Sequence, residues 1–179
     1  MVSLVDTGTL PWVVAQAIAA IALGLLGASG VAKLVDPAPT TGAMGDAGLP
    51  SSDLLSRLLG AAEGAAALVG LAVGGVAVLA GAVLYIGFAV FTFGALRNRT
   101  PLASCGCFGR DDTPPTVVHV VFNGLAALAL LVLPLLRTDP IDWSMAPFEI
   151  LLYAAFAAIG GYISYLLLAL LPRLMATTR

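Results

Sequence analysis

The sequence predicts an all-α fold, a polytopic bundle of transmembrane helices forming one integral membrane domain over residues 1–179. Three observations predict it. Of the 179 residues, 60% are hydrophobic and only 10% are charged, whereas a soluble domain is about half apolar and a quarter charged. Mean hydropathy is +1.03. The apolar residues fall into long, nearly uncharged blocks, each long enough for a helix of the ~20 residues needed to cross a bilayer. A net charge of −2 with eight Lys+Arg and one His leaves no basic footprint for nucleic acid. The lipid bilayer is therefore the first partner to expect. Only Asp6 is charged ahead of the first block, so the N-terminus reads as a signal anchor and not as a cleaved signal peptide with a basic leading region.

The first helix is expected over about 11–34. Pro11 suits an opening turn, where its missing N–H costs nothing. About 24 residues at 1.5 Å each give ~36 Å, enough to cross with some tilt. Lys33 is placed to snorkel to the interface and Pro37 to stop the helix. Residues 36–52, rich in Pro, Gly, Ser and Thr, read as a loop. The stretch from Leu58 to Leu96 carries one charge, Glu63. It is too long for one span, so it divides at Gly74-Gly75 into helices over about 53–73 and 76–97 joined by a tight turn. Residues 97–114, "RNRTPLASCGCFGRDDTP", are the most polar segment. Thr113-Pro114 then reads as an N-cap followed by proline at the first helical position, opening a helix over about 114–136. After a short loop in which Trp143 suits an interfacial anchor, the last helix is expected over about 147–171.

Five crossings put the two termini on opposite faces. Lys33, Arg57, Arg97, Arg99, Arg110, Arg173 and Arg179 fall on the C-terminal side and Arg137 alone on the other. By the positive-inside rule the N-terminus lies outside, and the C-terminus and residues 98–113 lie in the cytoplasm, in a bacterial-type plasma membrane. Gly24, Gly27 and Gly30, with Gly60-xxx-Gly64 and Gly70-xxx-Gly74, mark helix faces able to pack closely.

"SCGCFG", residues 104–109, holds both cysteines. Three chemistries fit. A Cys-x-Cys pair can close into a strained and hence easily reduced disulfide; Gly106 permits the backbone this needs, and Arg110 favours a thiolate that Asp111 and Asp112 oppose. Two thiolates with His119 make a partial soft-metal site for Zn or Cu(I). Alternatively, the two cysteines are small residues in a turn. Glu63 lies ~9–15 Å inside its helix, a depth at which an ionisable group marks either a functional site or a structural ion pair; Lys33 is its expected partner. His119 suits a proton relay, a ligand or a polar contact to a neighbouring helix, and Asn123 shares its face. Tyr85, Phe88, Phe91 and Phe93 either line a site for a quinone ring or pack and face lipid.

"GLLGASGVAKLVDP" in the first helix, "RLLGAAEGAAALVG" in the second and "SCGCFG" before the fourth resemble the MauE family of membrane proteins, named for methylamine utilisation and related to the DoxX/DoxD group. The resemblance covers roughly residues 10–136. It implies a four-helix membrane core, here with a fifth C-terminal helix. It also implies maturation of the disulfide-rich small subunit of methylamine dehydrogenase beside a thioredoxin-like partner, with thiol or sulfur redox and quinone chemistry in the wider group. Cys105 and Cys107 match the family cysteines, and Lys33 and Glu63 its polar positions; His119 matches no assigned position.

The leading expectation is a membrane thiol–disulfide redox or maturation factor, an oxidoreductase if catalytic. Cys105 and Cys107 would be the couple, Glu63, Lys33, His119 and Arg110 their polar surroundings, and a quinone or thioredoxin-like protein the electron partner. Disulfides made for an exported partner require outward-facing cysteines, whereas the charge count faces them inward. Either the protein handles cytoplasmic reductant or the charge rule does not set its orientation. The alternatives are a non-catalytic anchor or assembly subunit of a larger membrane complex, and a Cu/Zn-binding membrane protein using Cys105, Cys107 and His119.

Overall fold

A computed structural model describes residues 10–98, 115–136 and 147–177. Cys105, Cys107, Arg110, Arg99, Arg137, Trp143, Thr113, Pro114 and Arg179 lie outside the described residues. The fold is a polytopic helical bundle. Among the described residues there are six α-helices: α1 Leu10–Val35, α2 Ala38–Asp46, α3 Asp53–Val73, α4 Val78–Arg97, α5 Val117–Leu135 and α6 Pro147–Thr177, with a single 3-10 turn at Gly75–Ala77. All but α2 are long and apolar enough to cross a membrane. Five crossings bring α2, the end of α4, the start of α5 and the end of α6 to one face, and the start of α1, the α3–α4 turn, the end of α5 and the start of α6 to the other.

Helix ends follow local chemistry. Ser52, in extended backbone, caps α3 by accepting the Leu55 N–H at 3.2 Å, and Asp53 complements the positive end of the helix dipole. The α3–α4 connection is as tight as the glycine pair predicts. Gly74 has φ 66° and ψ −150°, and Gly75 φ 53°. The first combination belongs essentially to glycine alone. Gly74→Ala is therefore expected to destabilise the bundle by about 1–3 kcal/mol, read as a lower thermal midpoint in detergent; an unchanged midpoint would show that the turn relaxes freely.

Three boundaries differ from expectation. Residues 36–52 are not all loop: α2 occupies nine of them. It starts on Pro37-Ala38-Pro39, where Asp36 accepts the Ala38 N–H at 3.2 Å, and it buries Pro39, Thr40 and Ala43. Packing supplies what its glycines and threonines lack in propensity. The fourth crossing, α5, begins at Val117 behind an extended Thr116 N-cap, later than the expected Pro114. Pro115 disfavours helical backbone at the residue before it, which delays the start. Finally, α6 runs to Thr177 and not to Leu171. A single missing N–H at Pro172 does not end a long helix in this setting.

Helix α1 is the hub, packing against α3, α5 and α6, while α4 packs against α5 and α3. Leu23 and Leu26 of α1, Val78, Ala82 and Tyr85 of α4, and Leu130 and Leu133 of α5 form the core with Ala66 and Ala67 of α3. Large apolar side chains such as Leu68, Val83, Leu125 and Phe156 are exposed, as suits a surface solvated by lipid. The α1–α3 crossing is made at Gly30 and Gly60. A Cβ on Gly30 would meet the Gly60 carbonyl oxygen at 2.6 Å, and one on Gly60 the Gly30 carbonyl oxygen at 2.7 Å. This is the close backbone approach that small residues allow in lipid. Gly24 and Gly64, expected in the same role, have no side-chain or neighbouring-helix atom within 4 Å of a built Cβ.

Candidate functional site

The Gly30–Gly60 crossing fixes the centre of the site. One turn beyond Gly30 on α1, Lys33 faces Glu63, which lies three residues beyond Gly60 on α3. With the backbones in contact, the two side chains must meet. Lys33 Nζ lies 3.0 Å from each carboxylate oxygen of Glu63 and donates to Ser29 Oγ at 2.6 Å. The side chains of Lys33 and Glu63 are 2% and 0% exposed. The expectation that Lys33 snorkels to the interface is thus incorrect. Its stem follows the usual tilt of helical side chains toward the N-terminus, which here leads inward. Arg57 takes the place at the helix end: its guanidinium donates to the Leu34 carbonyl, serving the last turn of α1 as a cationic cap.

The ammonium also lies 5.5 Å from the centroid of the Phe88 ring on α4, within cation–π range. Phe88 and Phe122 each meet Tyr85 edge-on, with centroids 6.4 Å apart. The Tyr85 hydroxyl donates to the Ala22 carbonyl at 2.6 Å, tying α4 to α1. The aromatic cluster of α4 therefore divides. Tyr85 is core, Phe88 covers the ion pair, Phe91 is half-buried beside a pocket, and Phe93 is 54% exposed to the lipid side.

That pocket, of about 200 Å³, lies between α2, α3 and α4, with Lys33, Met44, Leu59, Phe88, Phe91 and Thr92 among its lining residues. Helix α2 roofs it. Thr41 holds α2 to the start of α3 through hydrogen bonds with Asp53 at 3.0 Å and Ser56 at 2.9 Å. Met44 adds a contact with the Ser56 hydroxyl at 4.0 Å.

His119 and Asn123 project from one face of α5 and are 3% and 7% exposed. His119 does not bond to another helix in the described residues. Its Nδ1 accepts the Thr116 N–H at 3.3 Å and lies 3.0 Å from the Thr116 hydroxyl, closing the start of α5. A cavity of about 20 Å³ separates the pair from Ser29, Tyr85 and Phe88. Ser29 therefore touches both the ion pair and the α5 cavity. Sequence reasoning missed Ser29, although its spacing of four from Lys33 on one helix was the available signal. It also missed the covering role of α2. Among the described residues no group of three His, Cys, Asp or Glu is placed to hold a metal ion.

Five membrane-crossing helices around a buried ammonium–carboxylate pair define a multi-pass membrane protein with an ionic site inside the bundle. Comparison with known families places it more narrowly. Residues 10–137 match the family described as "Methylamine utilisation protein MauE", and the chain belongs to that family. The match takes in α1 to α5, Ser29, Lys33, Glu63, His119 and both cysteines, and leaves α6 outside. No curated protein and no solved structure matches the chain.

Proposed function

We propose that this MauE-family protein is a membrane thiol–disulfide exchange factor for protein maturation, with Cys105 and Cys107 as the redox couple. The observation that carries this reading is the position of the Cys-Gly-Cys segment in the chain. In sequence it falls between the end of α4 and the start of α5; the first turn of α5 carries the buried His119 and shares a side of the bundle with the end of α1 at Lys33. In the proposed cycle a dithiol of a thioredoxin-like partner attacks the Cys105–Cys107 disulfide. A mixed disulfide forms and resolves, leaving the partner oxidised and the pair reduced. Two electrons and two protons then pass to a quinone, giving quinol and restoring the disulfide. The pocket beside Lys33, walled by Phe88 and Phe91, is our assignment for the quinone ring. Arg110 would favour the attacking thiolate.

We place the N-terminus outside and the C-terminus and cysteine segment in the cytoplasm. With Lys33 held in its ion pair, Arg57, Arg97, Arg99, Arg110, Arg173 and Arg179 still oppose Arg137 alone, six against one. The pair then meets cytoplasmic reductant, and its electrons pass to the quinone pool in the membrane. Cys105→Ser and Cys107→Ser are each expected to abolish disulfide turnover in the partner while leaving the protein in the membrane. Full turnover in either variant would sink the proposal. A membrane-impermeant maleimide is expected to label the cysteines in inverted vesicles and not in intact cells; the reverse would overturn the orientation.

A second reading, an anchor or assembly subunit, is favoured by α6. It lies outside the family match. Co-purification of a stoichiometric partner that persists without either cysteine would support it.

A further inference from the structure

Two buried side-chain atoms have no hydrogen-bond partner among the described residues: Glu63 Oε1 and His119 Nε2. The first lies 3.0 Å from the Lys33 ammonium, so charge compensates it. The second has no such neighbour. Nδ1 lies 3.3 Å from the Thr116 N and 3.0 Å from its hydroxyl; accepting the N–H assigns the proton of the neutral ring to Nε2, which then acts as a donor. A buried N–H without an acceptor is expensive, because it has given up water for nothing.

The ring lines the cavity of about 20 Å³ between α1, α4, α5 and α6. Most of its wall is apolar, including Leu26, Phe88 and Phe122. Ser29 and Asn123 supply polar groups on the α1 and α5 sides. A water needs about 10–15 Å³ of such space and two to four polar partners. At about 20 Å³ the cavity has room for one water, and His119, Ser29 and Asn123 are the polar residues that line it beside the Tyr85 hydroxyl-bearing ring.

We infer that one water molecule is bound here. It accepts the His119 Nε2–H and joins that ring to the Ser29 hydroxyl and the Asn123 carboxamide. The result is a polar chain across three helices: Glu63 of α3, Lys33 and Ser29 of α1, the water, then His119 and Thr116 at the start of α5. The chain links the buried carboxylate to the residue at which the cysteine-bearing connection ends. Its use as a proton path rests on the proposed thiol chemistry; the water site itself does not.

His119 is the only histidine in the chain, so its ring resonances need no assignment strategy. In ¹⁵N-histidine-labelled protein in lipid nanodiscs, the ring is expected to be protonated at Nε2 alone and to show a cross-peak from that proton to a long-lived water. Ser29→Ala or Asn123→Leu is expected to remove the cross-peak, and Ser164→Ala on α6 to leave it. Protonation at Nδ1, an Nε2–H with no water cross-peak in the unsubstituted protein, or a cross-peak surviving both cavity substitutions would each overturn the inference. If the water is present and the cysteines prove inert, the functional proposal fails and the site stands. If the cysteines turn over and no water is found, the reverse holds.

Discussion

Glu63→Ala is expected to destabilise the folded protein by about 3–5 kcal/mol, the range for breaking a buried ion pair from one side. The reason is what remains. Lys33 would lose its carboxylate while keeping its charge beside the Ser29 hydroxyl and the Phe88 ring, inside a bundle where Lys33 is 2% exposed. The pair itself is worth much less than that loss, since two charges taken out of water recover little net free energy from each other. The double replacement Lys33→Met with Glu63→Leu should therefore regain most of the stability lost in Glu63→Ala. Thermal unfolding of the single and double variants in the same detergent–lipid mixture checks both statements. Equal losses in the two variants would mean that the pair contributes through shape and not through charge.

Gly30→Ala should come next in size, at about 1–3 kcal/mol, the usual effect of overpacking. The added methyl would stand 2.6 Å from the Gly60 carbonyl oxygen and 2.8 Å from the Gly64 nitrogen. Both are backbone atoms, so no side chain can swing aside and α1 must move off α3. That movement would also draw Lys33 away from Glu63. Gly24→Ala provides the contrast on the same helix. It meets no outside atom within 4 Å, and replacing a mid-helix glycine by alanine gains roughly 0.5–1 kcal/mol. The two variants should thus shift the unfolding midpoint in opposite directions. A shared direction would mean that the α1–α3 crossing is looser than its geometry implies.

The five crossings were legible because a bilayer imposes a length. A run of ~20 apolar residues has few other uses, and Gly74-Gly75 could only be a break. Helix α2 was not legible, since Thr-Thr-Gly-Ala-Met-Gly has little helix propensity; burial of Pro39, Thr40 and Ala43 makes the difference. The Lys33–Glu63 pairing was readable from depth and face alone. The direction Lys33 takes was not, because a lysine one turn from a helix end can reach either the interface or the core. Which one it takes depends on Glu63 and on Arg57 reaching the Leu34 carbonyl. For His119 the sequence leaves a proton relay, a ligand and a polar contact to a neighbouring helix open. One of its nitrogens instead closes its own helix start, a role visible only once the helix is known to begin at Val117.

The proposed redox couple is tested most directly by trapping the thiols of Cys105 and Cys107 in native membranes. A mass-adding maleimide applied before and after reduction, and after addition of a quinone, reads their state. The proposal predicts two thiols after reduction, none after oxidation by quinone, and a return to two on exposure to a thioredoxin-like dithiol. Thiols that stay unmodified and unchanged through all three conditions would contradict it.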